Sequence, residues 1–255
     1  MKNIISILLL IPILFSCQNY HQKPFDETEV KLRKSPLSLS ELIIDASWQK
    51  RDSLSYLRFK NIKNIYISET DSIPHWIINF KELKSIESFP SVKKINFIPN
   101  EIGNLTALTH IELPENNIIE IPQTLYSLKN LQRLNLSNNN VREITSELRN
   151  LQELKIILLS NNTELKNLPD DICKLSNLKN LPIDGTKIES LPLCLKNNLN
   201  LESIDISNTL IVNFPIEILE NNKLKEIRAL NTKLKNYEEV KTICERKNIS
   251  FYYDK

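Results

Sequence analysis

The sequence predicts an α/β solenoid, with one curved parallel β-sheet on a concave face and short helices and irregular turns on the convex face. Three observations point there. A phrase recurs in tandem, as "LTALTHIELPENNIIEIP", "LKNLQRLNLSNNNVREI", "LQELKIILLSNNTELKNLP" and three further copies. Its Asn or Thr falls at Asn116, Asn139, Asn162, Thr186, Thr209 and Thr232, in steps of 23, 23, 24, 23 and 23 residues. A fixed period of that size marks stacked supersecondary units. Just before each of these positions apolar and polar residues alternate at period two, as a half-buried strand requires. A single copy cannot bury its own apolar side, so it must stack on its neighbours.

The elements follow in chain order. Met1, Lys2 and Asn3 make a positive start, residues 4–15 are almost entirely apolar, and "LFSC" closes the run at Cys17. An apolar stretch of that length is too short to cross a hydrocarbon layer of about 30 Å as a permanent helix. Residues 1–16 are therefore expected to be a signal peptide. Residues 17–37 are polar and aperiodic, a tether. Residues 38–61 offer N-caps at Ser38 and Ser40 ahead of Leu42, Ile43, Ala46 and Leu54, predicting a small N-terminal helical cap in which Trp48 packs.

Residues 62–104 hold degenerate repeats, with a strand at Ile65, Tyr66 and Ile67 two periods ahead of Ile111 and Leu113. The next strand is left unassigned, with Leu83, Ile86, Phe89, Val92, Ile95 and Ile98 expected to be buried. Residues 105–243 are the regular repeats. Inward pairs run Ile111 and Leu113, Leu134 and Leu136, Ile157 and Leu159, Leu181 and Ile183, Ile204 and Ile206, Ile227 and Ala229. Pro74, Pro99, Pro122, Pro169, Pro192 and Pro215 suit the turn into the convex side, where their fixed φ is tolerated. Pro114 and Pro182 fall at strands and predict local weakening or a bulge. "YEEVKTICERK" is expected to be helical, and residues 244–255 to end in a cap strand with Ile249 and Phe251 level with Ile227 and Ala229.

The Asn/Thr column has its own physical cause. As the chain leaves the strand it bends and buries backbone groups that no sheet partner satisfies. An amide side chain supplies donor and acceptor, whereas a threonine supplies one hydroxyl. A less fully bonded ladder is expected from Thr186 onward.

The repeated pattern L-x-x-L-x-L-x-x-N-x-L-x-x-L-P resembles the leucine-rich repeat family over residues 62–255. This implies its solenoid, with ligand binding on outward strand positions of the concave face. Family members that are enzymes carry a catalytic domain beside the repeats, and no span remains here for one. "LFSC" resembles the lipobox of bacterial lipoproteins. That implies cleavage between Ser16 and Cys17, with Cys17 linked to diacylglycerol and acylated on its new amino group. The chain would then be exported and lipid-anchored to a bacterial membrane, the outer membrane with its periplasmic or exterior face, without spanning it.

Composition narrows function further. The 33 basic and 31 acidic residues leave a net charge of +2, which provides no general attraction for nucleic acid. His21, His75 and His110 are the histidines and are spread along the chain, so no metal and no cofactor is expected. No Ser-His-Asp or Cys-His arrangement and no glycine-rich phosphate loop is legible. The repeat register sets Cys173 level with Lys196 and Cys194 level with Asp171, an offset that disfavours a bridge. Both are expected as free, partly buried thiols, as is Cys244.

What remains is a binding surface. One outward row reads His110, Arg133, Ile156, Asn180, Ser203 and Glu226; the next reads Glu112, Asn135, Leu158, Pro182, Asp205 and Arg228. Glu112 with Arg133, and Asp205 with Arg228, are in reach of ion pairing. Strand "KIILLS" is apolar on both faces, so Ile156 and Leu158 form a candidate contact centre. The expected function is a non-catalytic, monomeric, membrane-anchored protein that binds a macromolecule, a protein first. A glycan or envelope-polymer binder or a structural envelope component is the alternative, and a hydrolase the remote one. Few aromatics on the rows from His110 onward argue against sugar stacking.

Overall fold

The computed structural model describes residues 40–44 and 61–254. The chain divides into Met1–Leu39 and Ser40–Lys255. The expected signal peptide, Cys17 and the tether lie outside the described residues, as does Trp48. The described part of the second unit is built on one parallel sheet whose ten strands stack in chain order. They are β1 (Glu41–Ile44), β2 (Asn64–Ile67), β3 (Ser85–Ser88), β4 (His110–Glu112), β5 (Arg133–Asn135), β6 (Ile156–Leu158), β7 (Asn180–Pro182), β8 (Ser203–Asp205), β9 (Glu226–Arg228) and β10 (Ser250–Tyr252).

β1 corrects the expected helical cap over 38–61. Leu42 and Ile44 are buried level with Ile65 and Ile67, so the solenoid starts one repeat earlier than its clear periodicity. Alternation in "ELII" is the signal that was available, and pairing with β2 outweighs the serine caps ahead of it. β3 resolves the degenerate repeat. It follows β2 by 21 residues and precedes β4 by 25, so a fixed period of 23 misplaces it by two. Leu83, Ile86, Ile95 and Ile98 are buried, but Phe89 and Val92 are not, at 47% and 90% exposed. The shortened step turns Phe89 outward.

Inside, the twelve inward residues of the regular strands are at most 1% exposed. Each stacks on its equivalent in the next turn, and burying a side chain of this size stabilises by about 1.5–3 kcal/mol. Asn139 shows how the bend after the strand is satisfied. Its Oδ1 accepts from Ile118 N–H at 3.0 Å, and its Nδ2 donates to the carbonyls of Leu113 and Leu136 at 2.8 and 3.1 Å. Thr186, Thr209 and Thr232 each donate to one carbonyl of their own turn, Ile183, Ile206 and Ala229, at 2.6–2.7 Å. The amide ties two repeats together, and the hydroxyl ties only one.

On the convex side the chain makes five-residue 3₁₀ turns: His75–Asn79, Asn100–Asn104, Gln123–Ser127, Ser146–Asn150, Asp170–Lys174, Leu193–Asn197 and Ile216–Glu220. Six are preceded by the predicted prolines with φ between −60° and −69°, and the remaining one by Thr145 at −87°. Every turn buries its third residue. With about three residues per turn, the second and fourth then lie on opposite flanks. The fourth residue of one turn therefore faces the second of the next. Arg149 meets Asp171 this way at 3.2 Å, and a Cβ on Gly103 would stand 2.5 Å from the Thr124 carbonyl oxygen.

The same geometry overturns the expectation of free thiols at Cys173 and Cys194. They occupy the fourth and second positions of successive turns and form a disulfide with Cα atoms 5.8 Å apart. Their offset in repeat register is what brings them together. Cys244 is a free, buried thiol, and burial pushes its pKa up to about 11.

Pro182 weakens the sheet on one side only. It has no N–H to offer β6, and the registered pairing there is Ile156 with Asn180, whereas β7 and β8 pair along all three residues. Pro114 lies just beyond β4, which pairs fully with β5, so no weakening occurs there. The chain closes with α1 (Tyr237–Lys247), whose Lys247 Nζ donates to the Leu219 carbonyl at 2.8 Å. Asn248 takes a left-handed φ of 56°, and Ile249 N–H returns to the Cys244 carbonyl. In β10 it is Phe251 that stands level with Ile227, a shift of two from the expected register, because this turn-and-strand connection is 24 residues long. Tyr237, Phe251 and Tyr253 cluster with ring centroids 4.1–5.9 Å apart at this end.

Candidate functional site

The outward strand residues form a continuous surface because the strands are nearly parallel and in register. His110, Arg133, Ile156 and Asn180 are successive partners along one row, and Ser203 and Glu226 continue it. Glu112, Asn135 and Leu158 run beside them, followed by Pro182, Asp205 and Arg228. Neighbouring strands stand about 4.8 Å apart, while the 3₁₀ turns behind them need more room, so this face is the concave one.

Seven of the ten residues expected to form a binding surface are brought around one hollow of about 340 Å³: Arg133, Ile156, Leu158, Asn180, Asp205, Glu226 and Arg228. Pro182 and Ser203 also line it. Ile156, Leu158 and Pro182 give it an apolar floor, and they are half-buried rather than fully exposed. On the C-terminal side Asn180 Nδ2 donates to Ser203 Oγ at 2.7 Å. Its other three members lie to the N-terminal side. Glu112 accepts from Arg133 Nε and, at 3.0 Å, from Asn135 Nδ2, a fork that holds all three side chains in place. His110 is exposed, with Nδ1 2.8 Å from Thr109 Oγ1.

The expected Asp205–Arg228 pair is not made. Arg228 Nε lies 3.7 Å from Glu226 Oε1, and its guanidinium sits 5.1 Å from the centroid of the Tyr252 ring. Asp205 instead accepts from Ser207 N–H at 2.9 Å, capping the bend after β8. Pairing along the same strand and a ring on β10 compete successfully with the adjacent carboxylate, since exposed pairs contribute only about 0–1 kcal/mol.

The rows also extend further than expected. β1, β2 and β3 add Glu41 with Ile43, Asn64 with Tyr66, and Ser85 with Glu87. Tyr66 and Phe89 stack in parallel, centroids 5.5 Å apart and 9° between planes. With Tyr252 at the other end, the concave face carries aromatics that the rows from His110 onward omit. The missing signal was the register of β3, without which Phe89 reads as core.

Other groups do not converge. Among the described residues no set of three or more His, Cys, Asp or Glu side chains is placed to hold a metal ion. His75 pairs with Glu101 at 3.2 Å, in the convex turns. A larger hollow of about 730 Å³ lies on the convex side, beside the Cys173–Cys194 bridge and exposed Leu193.

Neither protein-family models nor curated proteins yield a match to this sequence. Solved structures do. A leucine-rich repeat protein of Leptospira interrogans superposes with a TM-score of 0.62 at 21% identity, over 91% of this chain and 70% of that one. An internalin (inlF) of Listeria monocytogenes gives 0.60 at 16% identity, over 81% of this chain and 65% of its own. The leucine-rich repeat ectodomain of the plant membrane receptor kinase GASSHO1/SCHENGEN3 from Arabidopsis thaliana, in complex with Casparian strip integrity factor 2, gives 0.59 at 20% identity over 84% of this chain and 31% of that one. With its ten in-register parallel strands and its ladder of buried Asn and Thr, the chain has the leucine-rich repeat fold.

Proposed function

We propose that this chain is a non-catalytic recognition protein, held at a bacterial membrane by lipid on Cys17, which binds a protein partner through its concave face. One observation carries the reading: the hollow has an apolar floor of Ile156, Leu158 and Pro182 inside a polar and charged rim. Such a composition suits a contact centre, where apolar residues are desolvated and the surrounding charges set orientation and partner choice. The plant ectodomain of the same fold, solved with its bound factor, supports assignment to a protein partner. The outward rows are also free for this work, since inward residues and the ladder build the fold.

The test is capture from a bacterial envelope extract by the full chain and by a variant carrying Ile156→Arg and Leu158→Arg. Half-buried outward positions accept a long side chain, so the thermal transition should be unchanged while the captured protein is lost. Equal capture by the variant would remove the hollow from consideration.

A further inference from the structure

Charge is unevenly matched along the concave face. Its strand positions hold five carboxylates, Glu41, Glu87, Glu112, Asp205 and Glu226, against the guanidiniums of Arg133 and Arg228. Glu112 takes Arg133 and Glu226 takes Arg228. At the N-terminal end Glu41 and Glu87 have no ion pair among the described residues, although the whole chain carries +2.

These two carboxylates surround the aromatic pair. β1 and β3 flank β2, so Glu87 is level with Tyr66 on one side, Ile43 on the other, and Glu41 is diagonal to it. The Tyr66 phenol is raised by burial first and then by the charges of Glu41 and Glu87, so both carboxylates bear on that ring. Phe89 stacks on it in parallel and stays 47% exposed. A ring face is negative, and carboxylates beside it deepen that potential. An anionic ligand would be repelled, and a neutral apolar one would strip water from two unpaired carboxylates without compensation. A guanidinium or ammonium on an apolar stem answers every part of this surface.

We propose that the N-terminal end of the concave face seats a basic side chain of the protein ligand, with its cation on the Tyr66–Phe89 rings and Glu41 and Glu87 as counter-ions. The proposal rests on the reading of the concave face as a protein-binding surface and adds the chemistry of the partner: a segment bearing Arg or Lys. It is separate from the hollow at Ile156 and Leu158, two strands beyond β4.

Fluorescence anisotropy of a labelled peptide of repeating Gly-Ser-Arg tests it, with a peptide of the same length carrying neutral citrulline for Arg as control. The full chain should bind the arginine peptide and not the citrulline one, more weakly as salt is raised. Glu41→Gln with Glu87→Gln, isosteric changes on the outer face, should weaken binding by about tenfold or more, and Phe89→Ala should weaken it as well. The Ile156→Arg, Leu158→Arg variant should bind this peptide unchanged, so failure of the hollow and failure of this seat are told apart. Absence of binding to the full chain, equal binding of the citrulline peptide, or full affinity in the double Gln variant with an intact thermal transition would each overturn the proposal. Equal citrulline binding lost in Phe89→Ala would assign the rings to a neutral ligand such as a sugar instead.

Discussion

Asn162 and Thr186 stand at equivalent points of successive repeats and do different work. Asn162 is fully buried, accepts from Val141 N–H at 2.8 Å, and donates to the carbonyls of Leu136 and Leu159. Replacing it with Ala orphans groups in two repeats, and each unsatisfied buried group costs about 1–3 kcal/mol. Thr186 has one bond, to Ile183. Asn162→Ala should therefore lower stability in urea by about 3 kcal/mol and Thr186→Ala by about 1 kcal/mol; equal losses would mean that the amide does not bridge repeats. The next column out shows what residue types reveal and conceal. Asn138, Asn161, Asn208 and Asn231 have φ between 52° and 58°, and Gly185 has 68°. Asparagine tolerates that region, so the column was open to inspection as a turn. The reason for glycine at 185 was not, because a Cβ there would lie 2.2 Å from Asn161 Oδ1, a contact made only by stacking.

At the scale of the element, the 3₁₀ turns set a rule that pattern alone hides: the fourth residue of one turn contacts the second of the next. Aligning repeats by register compares fourth with fourth, which is why the cysteines looked misplaced for bonding. Their bridge closes a segment with a sequence separation of 21, for which chain-entropy arguments give roughly 3 kcal/mol. Cys173→Ser with Cys194→Ser should lower the thermal transition without changing the circular dichroism of the native state. The rule can be tested where nature placed an ion pair. Arg149→Cys with Asp171→Cys should oxidise to a second bridge, seen as the loss of two hydrogens in intact mass; two persistent free thiols would show that Arg149 and Asp171 meet only through their long side chains. Strand identity and inward faces from β4 to β9 were legible because alternation, period and the Asn/Thr marker agree there. β1 and the register of β3 and β10 were not, because connections of 21, 25 and 24 residues break the period while the strands still pair in parallel.

For the whole molecule, stability is a sum over neighbouring turns, so the outer rows are free to vary without endangering the fold. That separation is why the chain can present an apolar hollow at mid-face and unpaired carboxylates beside aromatic rings at one end. Among the described residues no helix is long and apolar enough to cross a membrane, and the proposed attachment rests on Cys17. More than one acyl chain makes anchoring stable, at about 0.8 kcal/mol per buried methylene. Cys17→Ala should release the protein from washed membranes into the soluble fraction, and unchanged fractionation would remove the lipid from the account. Sequence by itself determined the solenoid, the inward columns, the proline-led turns and the candidate centre at Ile156 and Leu158, since each depends on neighbours one strand or one period away. Only the tertiary structure decided the Cys173–Cys194 bridge, the partner of Arg228 and the outward stack of Tyr66 on Phe89. These are contacts between residues that a uniform period holds apart, made by the flanks of 3₁₀ turns, by competing neighbours and by a strand that arrives two residues early.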